Sequence, residues 1–381
     1  HIFPIDEAPE GYDLLLGERK ERYLGILIKY PEASEEKTKR QIIISSGSKI
    51  TPKTAGTIGV GLIGAGNFAR SYILPFISKR KDVRLVGIST STGSSARNIA
   101  DRYGFEFSTT DNKTIFDNED IDLVIISTRH NTHAGLVIEA LKREKAVYVE
   151  KPLAINEEEL EQIVEIYNKM DAPFLHVGFN RRFSQLSNRL KGFISVKDAP
   201  FIINYRINAG TIPQTHWIKD PEVGGGRIIG EVCHFVDYMS FITGSIPEEV
   251  YAKCIDIRDI DNPSEDNISV TIKFKDGSVG NIIYTSIGDD AYPKEYIEIF
   301  GGKKVAIIED FKSLTLSFKG KKKKHKLLSQ DKGHANQINI LVDALKKGTG
   351  APIDFKSIYY TTLTTFRILD SLRTSKPIQV K

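Results

Sequence analysis

Two short motifs in this chain have residue types and spacing suited to chemistry on a bound nucleotide. The first is a glycine turn directly after the apolar run 58–63. Gly64 permits a tight turn, Gly66 lets the backbone approach a pyrophosphate, and Ala69 permits close helix–strand packing. The free N–H groups and the dipole of the following helix favour an anion. The turn predicts a dinucleotide site formed by Gly64, Ala65, Gly66, Asn67, Phe68 and Ala69.

The second motif is Glu150-Lys151-Pro152, directly after the apolar residues 146–149. Alcohol oxidation removes a hydride from carbon and a proton from oxygen, and a cation beside the hydroxyl stabilises the developing alkoxide. Lys151 is predicted to supply this cation, with Glu150 to fix its position and to line the cofactor. Pro152 allows a cis peptide bond after Lys151. The alternative is that Lys151 is a surface lysine after a strand.

A glycine run at 224–226 precedes a segment that brings ionisable residues onto one helical face. Glu231, His234 and Asp237 are spaced by three residues, and residues three or four apart share a face of a helix. Histidine is the natural proton acceptor at neutral pH. His234 is therefore predicted as the acid–base residue, Glu231 as its partner and Asp237 as a substrate contact. The alternatives are a buried structural histidine and a helix N-terminal charge.

The end of the second strand indicates which ribose the site accepts. A ribose with a free 2′-hydroxyl favours an acidic residue there, but the strand ends in Ser89 and Thr90. Hydroxyl groups do not repel a 2′-phosphate, and Arg97 could help to bind one. The predicted cofactor is therefore NADP or NAD, with a preference for NADP. The alternative is that both hydroxyl residues serve the turn alone.

Two further segments could face the cofactor or the substrate. The loop after the central strand is predicted to line the nicotinamide side through Ser127, Thr128 and Asn131. His133 either joins them or begins the next helix. Trp217, the only tryptophan, either stacks on a sugar ring or packs within its loop. Arg181 could bind a phosphate or carboxylate, or form an ion pair between domains.

The order of elements predicts an α/β fold class. From residue 57 to 178, short apolar strands alternate with amphipathic helices, which indicates a parallel sheet covered on both faces. We therefore expect a doubly wound Rossmann domain there. Residues 179–381 are expected to form an α+β domain with a large, mainly antiparallel, open sheet and closing helices. Residues 1–56 are expected to be an N-terminal arm and linker.

Composition excludes several classes of protein. The formal net charge is +4, so we expect no nucleic-acid surface. The basic run 319–326 is predicted to be a solvated hairpin tip, with a phosphate-binding patch as the alternative. Two cysteines without a CxxC spacing indicate a reducing compartment, and no apolar run approaches the roughly 20 residues of a membrane span. A cytoplasmic protein with no metal site and no membrane partner is expected.

The combination of motifs resembles the Gfo/Idh/MocA oxidoreductase family over about residues 57–375. The matching segments are the glycine turn, His130-Asn131-Thr132-His133, Glu150-Lys151-Pro152 and Gly224-Gly225-Gly226…His234…Asp237. The resemblance implies an NAD(P)-dependent dehydrogenase acting on a secondary hydroxyl of a sugar, cyclitol or sugar nucleotide. It assigns the catalytic cation to Lys151 and places Asn180 and Arg181 near the substrate. It also implies a homo-oligomer formed through the open sheet face.

One position departs from the family pattern. The family often has an aspartate four residues before the histidine, where this chain has Gly230, and the carboxylate follows at Glu231. Either Glu231 takes the role of the family's aspartate, or this chain holds its substrate differently from the family. Two other functions are carried by this scaffold: a nicotinamide-dependent glycoside hydrolase, and a non-enzymatic cofactor-sensing regulator. A regulator can lose Lys151 and His234, and both are present here.

The N-terminal arm resembles a different family. The segment FPIDEAPEGYDLLLGER…YLGILIKYP is similar to the C-terminal tail of zinc-type medium-chain alcohol dehydrogenases. This resemblance implies that the chain is the second half of a fused two-enzyme polypeptide. The alternative is an unrelated arm.

Overall fold

The computed structural model describes residues 1–17, 21–29, 41–43, 56–194, 198, 200–256 and 264–381. These residues fall into two compact units, His1–Arg40 and Gln41–Lys381. The first unit contains strand β1 (Ile2–Pro4), helix α1 (Ala8–Leu15) and strand β2 (Leu27–Lys29). β1 and β2 pair in parallel, and Phe3 and Leu14 are buried.

A mainly parallel sheet forms one layer of the second unit. Its strands in the described residues are β3 (Gln41–Ile43), β4 (Ile58–Ile63), β5 (Val83–Ser89), β6 (Phe107–Thr109), β7 (Leu123–Ile126), β8 (Ala146–Val149) and β9 (Leu175–Val177). They lie in the order β3-β6-β5-β4-β7-β8-β9, and only β3 runs antiparallel to its neighbour. The strand order reverses at β4, between β5 and β7. Ligands of open parallel sheets bind at such a point, outside the carboxyl ends of the strands.

Helices cover both faces of this sheet, as the sequence predicts. They are a π-helical turn (Ala69–Ile73) that continues into α2 (Leu74–Ile77), then α3 (Gly93–Tyr103), α4 (Asn112–Phe116), α5 (His133–Leu141) and α6 (Glu157–Asn168). Every residue of β4, β7 and β8 is buried because both faces are covered. The start of α6 is capped by Asn156, whose side chain accepts a hydrogen bond from the N–H of Glu159 at 2.9 Å.

A second, larger sheet follows. Its strands in the described residues are β10 (Ile202–Asn208), β11 (Pro247–Cys254), β12 (Ile268–Phe274), β13 (Val279–Thr285), β14 (Glu295–Gly301), β15 (Lys304–Glu309), β16 (Ser313–Phe318), β17 (Lys321–Lys326) and β18 (Ile378–Gln379). They lie in the order β17-β16-β15-β14-β10-β13-β12-β11-β18, and β10 and β13 form a parallel pair among antiparallel ones. The remaining helices are α7 (Gln185–Phe193), α8 (Cys233–Thr243), α9 (His334–Lys347) and α10 (Phe355–Thr374).

The second sheet has one covered face and one open face. Residues of β12 alternate strictly between buried and exposed, which is typical of an antiparallel sheet with one solvated side. The buried side chains join a core that includes residues of α8 and α10. The predicted fold class, a doubly wound domain followed by an α+β domain with a mainly antiparallel open sheet, is confirmed.

Helix α9 belongs to the second half of the chain but packs on the first sheet. Ile338, Leu341 and Val342 share a buried cluster with β4, α2 and the π-helical turn before it. At the start of α9, the ring of His334 stacks on Tyr72 with centroids 4.3 Å apart. The loop before α9 therefore lies beside the helix that follows the glycine turn.

Three segments differ from the sequence-based expectation. β3 falls within the stretch predicted to be arm and linker, and residues 44–55 of that stretch lie outside the described residues. In the basic run, the turn at Lys319-Gly320 leads into β17, an exposed edge strand rather than a tip. Lysines on an edge strand discourage pairing with another sheet. The sequence pattern does not indicate β18.

No helix in the described part of the chain is long and apolar enough to cross a membrane.

His176 in β9 is a wholly buried histidine that the fold keeps neutral. Its Nε2 lies 3.0 Å from the side-chain nitrogen of Gln337 in α9, and its ring stacks on Tyr148. Burial, together with the charge of Arg182, lowers the pKa of His176 to about 3. In an unfolded chain the pKa of a histidine is about 6.5. Between these two values the unfolded chain binds more protons, so stability is lost as the pH falls through this window.

We expect the free energy of unfolding to decrease as the pH falls from about 6.5 to about 4. Each extra proton bound by the unfolded chain lowers it by about 1.4 kcal/mol per pH unit. His176→Gln should reduce this slope by up to one proton, because glutamine does not titrate. Urea unfolding at a series of pH values measures the slope. His216→Gln, at an exposed histidine, is the matched control and should keep the wild-type slope. An unchanged slope in His176→Gln would contradict a neutral buried ring.

Candidate active site

The glycine turn leaves open backbone at the start of a helix. Gly64 has a φ of +83°, and a Cβ there would lie 2.4 Å from the carbonyl oxygen of Ser127, so only glycine fits. A Cβ at Gly66 would meet nothing within 4 Å, and the helix starts at the next residue, Asn67. This free space in front of helical N–H groups fits an anionic group such as a pyrophosphate. Ala69 is wholly buried, as close helix–strand packing requires.

The end of β5 presents hydroxyl groups and no carboxylate. Ser89 donates a hydrogen bond to the side-chain oxygen of Asn112 at 2.6 Å, and Thr90 donates to the carbonyl of Thr92 at 2.8 Å. Arg97, predicted to help bind a 2′-phosphate, is paired with Asp101 on its own helix at 2.9 Å. Thr90 therefore serves the turn, whereas Ser89 ties the end of β5 to the start of α4.

Arg70 is a cation between the glycine turn and α3 that the sequence analysis does not single out. Its Nε donates to the carbonyl of Ala65 at 2.9 Å, and its Nη2 lies 3.3 Å from the hydroxyl of Ser95. With Ser94, Asn98 and Arg102 it lines a cavity of about 500 Å³ along α3. Arg70 and Arg102 are thus two cations that face this cavity, and Arg70 is the one from the helix after the glycine turn.

The loop after β7 lies against the glycine turn and against the run at 224–226. Ser127 is buried, and its carbonyl is the atom that excludes a side chain at Gly64. The hydroxyl of Thr128 lies 2.6 Å from that of Thr132. Asn131 is exposed, and its N–H donates to the carbonyl of Val223 at 3.0 Å. Thr128 and Asn131 therefore border the crevice at the carboxyl ends of β4 and β7.

His133 is turned away from that crevice. It is wholly buried at the first position of α5. Its Nδ1 lies 2.7 Å from the carbonyl of Pro152, and its Nε2 lies 3.3 Å from the carbonyl of Thr128. Burial lowers the pKa of His133 to about 4. His133 therefore begins the helix, the second of its two predicted roles, and also ties the loop to the Lys151-Pro152 turn.

The Glu150-Lys151-Pro152 turn follows β8 at the same edge of the sheet. Its Lys151–Pro152 bond is cis. The Lys151 side chain is half-buried, and its Nζ donates to the carbonyl oxygen of Gly230 at 2.6 Å. Glu150 is buried, accepts a hydrogen bond from the Tyr148 hydroxyl, and has its pKa raised by burial to about 7. The lysine thus reaches from the first sheet to the turn before α8.

Glu231 is not the hydrogen-bond partner of His234. Its carboxylate accepts hydrogen bonds from Lys294 at 2.6 Å, from Arg227 at 3.2 Å and from the hydroxyl of Tyr284. Burial alone would raise the pKa of Glu231, but the charges of Lys294 and Arg227 outweigh burial and lower it to about 2. Glu231 is a fixed anion with its own cations.

The local backbone explains why the predicted Glu231–His234 pair does not form. Residues Ile228–Val232 form a π-helical turn, and α8 begins only at Cys233. A π-helical turn takes in more residues than an α-helical turn, so the three-residue spacing no longer places two side chains on one face.

His234 is buried at the start of α8 and carries an unpartnered nitrogen. Among the described residues its Nδ1 has no hydrogen-bond partner. Its ring packs edge-on against Phe179, with centroids 6.2 Å apart. Burial and the charges of Arg181 and Lys151 hold the pKa of His234 well below its usual range. The imidazole is therefore uncharged at neutral pH, which is the state in which a histidine can accept a proton.

Arg181 forms a buried ion pair and is not free to bind a substrate. It donates twice to the Glu295 carboxylate, at 2.8 and 2.9 Å, and Lys332 reaches the same carboxylate at 2.7 Å. Burial alone would raise the pKa of Glu295, but Arg181 and Lys332 hold it well below its usual range. Asn180 donates to the carbonyl of Lys332 at 2.7 Å. Asn180 and Arg181 therefore hold the 180–183 loop, β14 and the loop before α9 together.

Asp237 and Trp217 differ in what they face. Asp237 is wholly buried, and Nε of Arg182 donates to its carboxylate at 2.7 Å, so the predicted substrate contact is corrected to an internal ion pair. Its position within α8, beyond His234, carries it into the core. Trp217 is half-buried and packs edge-on against His130, with centroids 4.7 Å apart. It forms part of the wall beside the glycine run.

Sequence reasoning missed the residues that hold the predicted ones in place. Lys294 and Tyr284 lie more than fifty positions from Glu231, at distances of 63 and 53 residues along the chain, so no local pattern connects them. Lys332 lies outside any of the motifs. His130 lies within the motif loop after β7, and this position is the one sequence signal that indicates a role for it in the site.

The site combines three chemical capacities at one edge of the first sheet. The glycine turn can hold an anion, Lys151 can stabilise a developing alkoxide, and His234 can accept a proton. Among the described residues, no group of three histidine, cysteine or acidic side chains is arranged to hold a metal ion. The arrangement suits the removal of a hydride and a proton from an alcohol.

Comparison with known proteins agrees with this geometry. Residues 58–179 match the family model for the Gfo/Idh/MocA oxidoreductase family, NAD-binding Rossmann fold, and residues 200–307 match a Gfo/Idh/MocA C-terminal domain. Among similar solved structures, an NAD binding oxidoreductase from Klebsiella pneumoniae has a TM-score of 0.75 at 18% identity and covers 86% of this chain and 100% of its own. A levoglucosan dehydrogenase in complex with NADH and L-sorbose has a TM-score of 0.73 at 21% identity, covering 85% and 99%.

Curated relatives give the same result. A myo-inositol 2-dehydrogenase of Thermotoga maritima is 28% identical over 253 residues, which are 65% of this chain and 72% of the relative. An inositol 2-dehydrogenase of Rhizobium meliloti is 26% identical over 314 residues, 77% of this chain and 90% of the relative. The two family models together span more than half of the chain. The chain therefore belongs to the Gfo/Idh/MocA family and is an oxidoreductase with an NAD-binding Rossmann fold.

Proposed function

We propose that this enzyme transfers a hydride between a secondary hydroxyl of a sugar, cyclitol or sugar nucleotide and a nicotinamide cofactor. The observation that carries the proposal is the hydrogen bond from Lys151 Nζ to the carbonyl of Gly230, which fixes the ammonium group at the turn that leads to buried His234. The names of the inositol 2-dehydrogenase relatives support a polyhydroxylated substrate.

Lys151 and His234 would divide the work on the alcohol. When bound, the nicotinamide ring supplies the acceptor for the hydride. Lys151 has three N–H donors, and one is used by Gly230, so another can donate to the substrate oxygen and stabilise its developing charge. His234, uncharged at neutral pH, can take the hydroxyl proton and later release it to water.

The two halves of the second unit would bind different ligands. We assign residues 57–178 to the cofactor, with the backbone from Gly64 to Ala69 facing the pyrophosphate and Ser127, Thr128 and Asn131 on the nicotinamide side. We assign residues 179–381 to the substrate and to subunit contacts. Trp217 beside His130 supports a stacking surface for a sugar ring. For residues 1–56 we keep the resemblance to an alcohol dehydrogenase tail as a proposal.

We infer a preference for NADP over NAD from Arg70. Its guanidinium donates to the carbonyl of Ala65 in the glycine turn and borders the cavity along α3, and no carboxylate follows β5 to bind a free 2′-hydroxyl. A 2′-phosphate in that cavity would gain a charge-assisted hydrogen bond.

The open face of the second sheet is the proposed dimer surface. Ile202, Ile283 and Phe300 are 57%, 51% and 39% exposed there. Ile202 lies directly opposite Phe300 in the sheet register, and Ile283 lies two strands from Phe300 on the same face. Exposed apolar side chains on an open sheet face favour an interaction surface.

A substrate panel tests the activity. The purified chain is incubated with NAD or NADP and with myo-inositol, D-glucose or UDP-glucose, one compound for each proposed class, and reduced cofactor is followed at its absorbance band. Turnover of at least one compound with added cofactor is expected. Hydrolysis of a nitrophenyl glycoside without added cofactor would instead favour the glycosidase, and cofactor binding with no turnover would favour the regulator.

Lys151→Ala should lower kcat by about 100- to 1,000-fold, the cost of removing one donor to a developing oxyanion. Cofactor binding should persist, because the glycine turn is untouched. A thermal-shift titration measures that binding, which at about 100 times the dissociation constant stabilises the fold by about 2.7 kcal/mol. Lys142→Ala, on the surface of the cofactor-binding half, is the matched control and should keep wild-type kcat. Full activity of Lys151→Ala would overturn the assignment.

Arg70→Ala should weaken NADPH binding by about 10- to 100-fold, because a hydrogen bond to a charged group contributes about 1.5–3 kcal/mol. NADH binding should change by less than about threefold, since NADH has no 2′-phosphate. Energy transfer from Trp217 to each reduced cofactor gives both dissociation constants. Arg97→Ala, at the arginine paired with Asp101, is the control. Equal loss for the two cofactors would contradict the inferred role of Arg70.

Ile283→Glu should shift the chain from dimer to monomer, because it replaces an exposed apolar side chain with a charge on the face proposed as the interface. Light scattering coupled to size-exclusion chromatography measures the mass. Leu328→Glu, at an exposed leucine beyond β17, should leave the mass unchanged. A wild-type protein that is monomeric at all concentrations would rule out the dimer.

A further inference from the structure

His130 is a buried histidine whose hydrogen bonding determines the state of both ring nitrogens. It is 5% exposed, and its Nδ1 lies 2.7 Å from the carbonyl oxygen of Gly224. A carbonyl can only accept, so Nδ1 carries the hydrogen and Nε2 keeps its lone pair. No described residue forms a hydrogen bond with Nε2 of His130. His130 therefore presents an acceptor that the protein does not use.

The orientation of this ring is fixed from two sides. The neighbouring N–H of Asn131 donates to the carbonyl of Val223 at 3.0 Å, so the loop after β7 is bonded to two successive residues, Val223 and Gly224. The ring also packs against Trp217, with the two ring planes at 76° to each other. A ring held by a hydrogen bond at its nitrogen and by this aromatic contact cannot rotate to satisfy Nε2 elsewhere.

Gly230 lies between His130 and Lys151. Its carbonyl oxygen accepts the hydrogen bond from Lys151 Nζ at 2.6 Å. On its other side, a Cβ at this position would lie 2.9 Å from Cε1 of His130 and 3.3 Å from its Nδ1. Side chains at 230 and the ring at 130 therefore compete for one space, and in this chain the ring occupies it.

The ring is neutral at physiological pH. Burial and the nearby charge of Lys151 lower the pKa of His130 to about 3, although its bond to Gly224 acts in the opposite direction. The other titratable group that faces it is His133, which is itself held neutral by burial. An imidazole in this state accepts a hydrogen bond and carries no charge that would repel a cation.

We propose that Nε2 of His130 accepts a hydrogen bond from a substrate hydroxyl adjacent to the one that Lys151 binds, so that His130 is a substrate-binding residue in the space left by Gly230. This inference rests on the proposed function. Its consequence is a requirement for a substrate with two neighbouring hydroxyl groups, one donating to His130 and one receiving from Lys151. A site built to bond a hydroxyl rejects analogues that lack it.

Two substitutions separate this role from a structural one. His130→Asn retains an N–H donor at the position of Nδ1 and can keep the bond to Gly224, but it has no group at the position of Nε2. His130→Gln places an amide oxygen near the position of Nε2 and loses the bond to Gly224. We expect His130→Asn to lose at least tenfold in kcat/KM, and His130→Gln to retain more of it. Both should bind reduced cofactor as the wild type does.

The assay uses whichever of myo-inositol, D-glucose and UDP-glucose is turned over with the highest kcat/KM by the wild type. A His130→Asn variant with wild-type kcat/KM, or one more active than His130→Gln, would overturn the proposal. If Lys151→Ala abolishes turnover and His130→Asn does not, only this inference fails. If the wild type turns over none of the three compounds, the proposed function fails and this inference fails with it.

A stability measurement tests the competition for space without any substrate. Gly230→Ala should lower the midpoint of thermal unfolding in the wild-type background, because the added Cβ meets the ring of His130. In a His130→Ala background the same change should lower the midpoint less. Equal shifts in the two backgrounds would show that the ring does not restrict position 230, and would remove the steric basis of the proposal.

Discussion

The hydrogen bond from Lys151 Nζ to the carbonyl of Gly230 is the constraint around which the site is organised. It joins the carboxyl end of β8, in the parallel sheet, to the turn that leads into α8, which packs on the second sheet. A long, flexible lysine gives a defined ammonium position only when one of its donors is anchored. A backbone carbonyl is a suitable anchor because it adds no net charge, so the cation remains available to a developing alkoxide.

Buried ion pairs position the groups around this bond without neutralising it. Arg181 and Lys332 share the carboxylate of Glu295, and Lys294 and Arg227 share that of Glu231. Buried pairs of this kind contribute little net stability, but removing one partner leaves a costly unpaired charge. The charges of Arg181 and Lys332 also act on His234, which strengthens the effect of burial in keeping it neutral. The same charges that hold the loops thus set the protonation state needed in a proton acceptor.

The sequence predicts the strands, helices and turns of the fold better than it predicts the contacts between side chains. The glycine turn, the strand before Lys151 and the helix after His133 follow from local patterns of apolar residues and glycine, and all are found. Glu231 and Asp237 were predicted from α-helical spacing, and that rule fails where the backbone is π-helical or where the helix enters the core. Arg181 illustrates a second limit: its partner Glu295 is 114 positions away, so its role depends on tertiary structure. The proposed role of His130 could not be predicted from the sequence, because it depends on how close the ring lies to Gly230 in the folded chain.

Both π-helical turns of the described chain lie where a ligand is expected. Ala69–Ile73 follows the glycine turn, and Ile228–Val232 contains Gly230 and Glu231. A π-helical turn can adjoin a regular α-helix, but its side chains point in other directions than those of an α-helical turn. Such turns are frequent at functional sites. Here the second turn directs the carbonyl of Gly230 to Lys151 and the carboxylate of Glu231 to Lys294. An ideal α-helix over the same residues would place neither group there, so the departure from regular structure is what assembles the site.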